Sequence, residues 1–297
     1  MSGTANLTPS EPDEPLAGSV GPYQQHLAIC TGGPPELWAT RVEEMEGLFG
    51  ALEVALRVRG LHKKIKITAC DAPSTGLAGL DIFLLPDMLV LPEITIDKVE
   101  RLATALEKHF EEGLPFDVEP MAGGDHLFVC VHANRDARCG EWGPQLYEVL
   151  DYEIEKQAAI THIHQTSHIG GHRFAATCIV YPQGIWYGNL RPWDAKRLVA
   201  EHLVNERLLP EFYRGRLGIS PCQQVAEAEA ARVLLRAHPE YESLTVEITE
   251  ESGSARAIAR ARILGPRGLQ IVKAEFLLTC PHVWWTVDDE PRFATDR

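Results

Sequence analysis

Six of the twelve histidines fall between His126 and His172, and the same stretch holds Cys130 and Cys139. Thiolates and imidazoles are the side chains that bind soft and borderline metal ions. Eight residues separate the two cysteines in CVHANRDARC, which is too many for a CxxC redox pair. The spacing also departs from the short knuckle of common zinc sites. His168 and His172 bracket a glycine pair in SHIGGH. On a helix this spacing would put both imidazoles on one face. Each glycine costs about 1 kcal/mol there relative to alanine, so a loop is expected. Two thiolates and two imidazoles suit one tetrahedral zinc ion. They equally suit a [2Fe–2S] cluster with both cysteines on one iron and both histidines on the other.

Such a set needs elements that bring it together. Cys130 ends the apolar run DHLFVC (125–130), and QHLAIC (25–30) anticipates it 100 positions earlier. A second pair of blocks, 81–106 and 176–203, shares the pattern of strand, proline, hairpin, strand and helix. Asp97 and Asp194 fall at the helix starts, where a carboxylate complements free amides. The near-constant offset indicates two homologous units, 23–115 and 116–215. Each reads as strand, loop, long helix, strand, hairpin and final helix, a thioredoxin-like order. The long helices are expected over 36–60 and 143–158. Parallel strands joined by a right-handed crossover put the loop after Cys130 beside the loop after Thr166, so the four residues converge. The expected fold class is α/β: two tandem thioredoxin-like units plus a small C-terminal α+β appendage (216–297), with a helix and three alternating strands. Residues 1–22, rich in Pro, Ser, Gly and acidic residues, read as a disordered lead-in.

Composition narrows the classes. With 45% hydrophobic and 24% charged residues, the chain fits a soluble globular protein. No stretch approaches the roughly 18 apolar residues of a membrane span, and the N-terminus lacks a signal-peptide pattern. A cytoplasmic location is therefore expected. Seven cysteines, an odd number, argue for reduced thiols or metal ligands. The net charge of 28 − 42 = −14 speaks against nucleic acid and anionic membranes as partners. LHKKIK (61–66) reads as a solvated connection.

CVHANRDARC, HIGGH and YPQGIWYG (181–188) together resemble the sucrase/ferredoxin-like family of thioredoxin-like [2Fe–2S] proteins. The resemblance covers most of 116–205 and is weaker in the first unit. It implies that Cys130, Cys139, His168 and His172 ligate a [2Fe–2S] cluster, with Zn2+ as the alternative occupant. The sucrase half of the name finds no paired glycosidase carboxylates here. The implied function is electron transfer with a redox partner protein, a reductase or acceptor suited to an acidic surface, more a carrier than a substrate-turnover enzyme. Histidine-ligated centres reach about −150 to +300 mV, against roughly −400 mV for all-cysteine plant-type ferredoxins. An imidazole whose second nitrogen reaches water would also couple reduction to protonation.

Around the ligands, Gly170 and Gly171 are expected to let backbone approach the cluster. Arg173 is a candidate for balancing its charge, and His132 and His164 are candidate neighbours. His132 is also a candidate substitute ligand. Two alternatives stay open: a zinc-stabilised Cys2His2 binding module without redox role, and a thiol–disulfide oxidoreductase. The first unit matches Cys30 to Cys130 but has no second cysteine in that loop and no histidine pair, so it reads as a degenerate scaffold. Cys30 and Cys70 end strands at one sheet edge, which leaves a dithiol pair open. Cys178 reads as a buried small hydrophobe, and Cys222 and Cys280 as free thiols.

Overall fold

A computed structural model describes residues 16–237 and the strand segments 243–250, 256–265, 268–277, 283–287 and 290–293. The first half runs β1 (Gln25–Cys30), α1 (Leu48–Val58), β2 (Ile65–Cys70), the hairpin β3 (Leu80–Leu85) and β4 (Leu89–Ile94), then α2 (Val99–Glu112). The second runs β5 (Asp125–Cys130), α3 (Ala137–Gln157), β6 (Thr161–Thr166), β7 (Cys178–Tyr181) and β8 (Ile185–Tyr187). Helix α4 (Ala195–Leu198) follows, widening into a π-type segment over Val199–Val204, and then β9 (Tyr213–Arg216).

These strands form one nine-stranded mixed sheet in the order β4-β3-β1-β2-β6-β5-β7-β8-β9. The two halves share a topology: β1 pairs parallel with β2 and antiparallel with β3, as β5 does with β6 and β7. This is the thioredoxin-like α/β arrangement. β1 and β5 are central and covered on both faces, which is why they read as continuous apolar runs. One face packs under the helices, with Leu27, Ile29, Leu127 and Val129 against Leu52, Leu56, Leu146 and Leu150. The other face carries Cys30, Cys70, Phe128 and Cys130 beneath Val20, Ile169 and Leu217.

The halves join where β2 runs antiparallel to β6, with Cys70 opposite Thr166. Buried polar groups fasten this seam. Thr166 Oγ1 donates to the Ala69 carbonyl at 3.0 Å and lies 3.2 Å from Thr68 Oγ1. His26 bridges Thr68 Oγ1 at 2.6 Å and Tyr181 Oη at 2.9 Å. Buried groups so matched specify one register.

Four boundaries differ from expectation. Helix α1 begins at Leu48, not residue 36. Two 3-10 turns, Pro35–Leu37 and Val42–Glu44, fold Trp38 into the core, and Gly47 at φ 82° interrupts the run just before Leu48. Helix α3 begins at Ala137, six residues early. Asp136 caps it by accepting the Arg138 N–H at 3.0 Å, while Gly140, Gly143 and Pro144 disguise the helix in the sequence. The lead-in is packed from residue 16, with Ala17 and Val20 buried; residues 1–15 lie outside the described residues. The C-terminal region has five strands where three are expected. Helix α5 (Pro221–Ala237) precedes an antiparallel sheet of β10 (Ser243–Glu250), β11 (Arg256–Gly265), β12 (Gly268–Leu277), β13 (Val283–Val287) and β14 (Glu290–Phe293). The Trp284 and Trp285 side chains and the Cys222 and Cys280 thiols lie outside the described part. Among the described residues, no helix is long and apolar enough to cross a membrane.

Candidate metal centre

Cys130 closes β5, and Cys139 sits in the first turn of α3 rather than in the loop expected from C-x8-C. Both are buried. The helix can approach the strand end because residue 143 is glycine: a Cβ there would overlap the Cys130 carbonyl oxygen. The amide dipoles of the α3 N-terminus favour negative charge on Cys139. Cys130 Sγ, Cys139 Sγ and a ring nitrogen of His168 lie within 4.8 Å of one another. The two sulfurs share one proton. The Cys139 S–H and the His168 ring hold the Cys130 thiol well below its usual range, and the Cys130 sulfur pushes the Cys139 thiol up.

After β6 the chain turns through Gly170 and Gly171, both at positive φ (105° and 70°), and a short 3-10 turn, His172–Phe174, follows. Glycine holds such backbone without strain. The His172 ring lies 5.4 Å from that of His168, beside the Cys130–Cys139–His168 group. In both rings Nδ1 is buried and meets no hydrogen-bonding partner among the described residues. A buried ring nitrogen left unpaired costs about 1–3 kcal/mol, and an electrophile bound there would recover it. Thus two sulfurs and two orphaned imidazole nitrogens suit either a [2Fe–2S] cluster or zinc.

The other face of His172 is served by a residue that sequence reasoning missed. Its Nε2 lies 3.9 Å from Asp136 Oδ2. Asp136 is itself fixed by Arg138 through Nε at 2.9 Å and Nη2 at 3.0 Å. A carboxylate behind an imidazole is the usual way to orient a histidine ligand. The signal was present: an aspartate immediately before a helix whose start was misread.

The remaining candidates take distinct places. His132 accepts the His168 backbone N–H at Nδ1 (3.1 Å), and its Nε2 faces the Trp38 carbonyl at 3.4 Å. It anchors the His168 loop with both nitrogens engaged, which speaks against the substitute-ligand role. His164 turns away to stack on Phe128 (4.7 Å) and to bond His126 at 3.0 Å. Arg173 lies over the Phe174 ring at 4.8 Å. The arginine buried behind the loop is Arg214 on β9, also missed, because nothing in the sequence marks an arginine for burial. In the first half, Cys30 and Cys70 pair in register with Sγ atoms 3.8 Å apart. Cys178 is buried and unpaired, its thiol pushed up by desolvation.

The chain is similar to several known proteins. Altered inheritance of mitochondria protein 32 of Debaryomyces hansenii is 32% identical over 246 residues, covering 72% of this chain and 90% of that protein. The protein of the same name from Saccharomyces kudriavzevii is 36% identical over 107 residues, and the match spans only 33% of its length. Among solved structures, a thioredoxin-like [2Fe–2S] ferredoxin from Aquifex aeolicus matches with 23% identity and a TM-score of 0.28, over 34% of this chain and 97% of that one. The profile of the sucrase/ferredoxin-like family matches residues 16–215, the whole nine-stranded sheet apart from the last residue of β9. The chain belongs to the sucrase/ferredoxin-like family.

Proposed function

We propose that this protein is an electron carrier whose [2Fe–2S] cluster is held by Cys130, Cys139, His168 and His172. The observation that carries the reading is the meeting of two buried sulfurs and the His168 ring within 4.8 Å, with the His172 ring 5.4 Å from that of His168 and the Nδ1 of each imidazole without a hydrogen-bonding partner. When bound, such a cluster supplies a one-electron couple at a raised potential. The chain's own residues do the rest. The α3 N-terminus favours the Cys139 thiolate, His132 holds the His168 loop, and Asp136 orients His172. The His172 side chain is 43% exposed, so its outer nitrogen can meet water and hold the proton that compensates an added electron. The net charge of −14 suits a basic protein partner, reductase or acceptor.

Protein purified without oxygen is expected to be reddish-brown, to hold about two irons and two sulfides per chain, and to bleach on reduction. Cys130→Ser and Cys139→Ser are each expected to abolish that colour. A second reading, structural zinc on the same residues, is favoured by the compactness of the Cys130–Cys139–His168 group, whose donor atoms one ion could span. Colourless protein with one zinc per chain would establish it and overturn the cluster.

A further inference from the structure

Arg214 is a long charged side chain in a place that should reject one. It is 1% exposed, and its partners are neutral. Nη1 donates to the Gly170 carbonyl at 3.0 Å, Nε to Ser19 Oγ at 3.1 Å, and Nη2 to the Ser19 carbonyl at 3.3 Å. The guanidinium lies over the Phe174 ring at 5.3 Å and the Trp186 ring at 5.4 Å. No carboxylate among the described residues forms an ion pair with it. Burying an unpaired ion is unfavourable, and hydrogen bonds to carbonyls do not neutralise its charge.

The sequence makes room for this group at the metal-binding loop. A Cβ on Gly171 would overlap Nη2, and one on Gly188 would meet the Arg214 side chain at 2.6 Å. Gly171 is the second glycine of HIGGH, so the loop's shape and the guanidinium's position are one packing solution. Burial lowers the Arg214 pKa to about 10, Tyr23, Cys130 and Cys139 favour its charged form, and Arg173 opposes it. The group therefore stays protonated at neutral pH.

We propose that Arg214 is a positioning and charge-compensating residue of the metal centre. It pins the His168–His172 loop through the Gly170 carbonyl and supplies the buried positive charge that balances the thiolates of Cys130 and Cys139. This rests on the cluster reading above and deepens it. Adding an electron to a cluster makes it more negative, so a fixed cation nearby stabilises the reduced form and raises the potential. Arg173, the arginine that follows His172, is exposed, and its charge opposes that of Arg214.

The test is redox titration of full-length wild-type, Arg214→Gln and Arg214→Lys proteins, followed by visible absorption and electron paramagnetic resonance. The expected result is a loaded Gln variant with a lower midpoint potential and a Lys variant near the wild type. A loaded Gln variant with the wild-type potential overturns the proposal, since a purely structural role would change cluster loading and stability without moving the potential of the loaded fraction. If the Gln variant does not fold or load, the Lys variant decides. A loaded Lys variant near the wild-type potential supports the role of the charge; an unloaded one, or one with a clearly lowered potential, overturns it. A wild-type chain that carries no cluster overturns the proposed function, and this inference with it, a result distinct from any variant behaviour.

Discussion

At the scale of single residues, the site depends on what each imidazole nitrogen faces. His132 spends both ring nitrogens on the backbone, whereas His168 and His172 each keep a buried Nδ1 without a partner. That difference separates the histidine that positions the loop from those with a nitrogen to give. Replacing one donating histidine by a thiolate should keep a cluster but increase its negative charge. His168→Cys and His172→Cys are each expected to lower the potential, and His172→Cys to weaken its pH dependence by removing the exposed nitrogen. Redox titration at two pH values checks this; unchanged potentials in both variants would show that neither histidine is a ligand. Cys130, Cys139, His168 and His172 stand out as candidate donors from residue type and spacing, and the fold brings the first three within 4.8 Å of one another. Asp136 and Arg214 do not stand out, because their importance comes from what they face across the fold.

At the scale of elements, the sheet buries titratable groups in neutral form. Desolvation lowers the pKa of His26 to about 3, with Lys66 adding to it, and that of His164 to about 3. On the π-type segment after α4, burial and Arg216 lower His202 to about 4. In the unfolded chain each has an ordinary pKa near 6.5. Above that value both states are neutral and nothing is lost. Below it the unfolded chain binds protons that the folded chain refuses, so stability falls with pH until the folded histidines titrate near pH 4 to 3. The linkage is on the order of 1 kcal/mol per histidine per pH unit. Urea unfolding midpoints are expected to be level from pH 8 to 7 and to drop steeply from pH 6.5 to 4.5. A midpoint that stays level down to pH 5 would sink this reading.

At the scale of the whole molecule, the nine-stranded sheet is completed by segments far apart in sequence. Gln224 on α5 accepts the Val20 N–H at 3.3 Å and donates to the carbonyls of Ile219 and Val20 at 3.1 and 3.2 Å. Glu227 receives Tyr213 Oη–H and the Arg216 guanidinium from β9. Residues 16–22, β9 and the start of α5 therefore share one packed region, and position 216 does not mark a clean break. Gln224→Ala leaves the buried Val20 amide unsatisfied and is expected to cost about 1–3 kcal/mol of stability. Residues 16–22 should at the same time become accessible to protease. Wild-type stability and protection in this variant would show that the three segments are held independently.

Residue type, spacing and the repeat by themselves determined the α/β class, the succession of elements along each half, and the four candidate donors. These are local quantities: a strand buried on both faces must be apolar throughout, and thiols and imidazoles declare their chemistry wherever they stand. The tertiary structure decided that Cys139 belongs to a helix and that the halves join through β2 and β6. It also decided that Arg214 is buried against the Gly170 carbonyl. The physical reason is that burial, dielectric environment and unpaired nitrogens arise from elements distant in sequence. Arg214 and Gly171 lie 43 positions apart, and only the fold shows that one was kept small to admit the other.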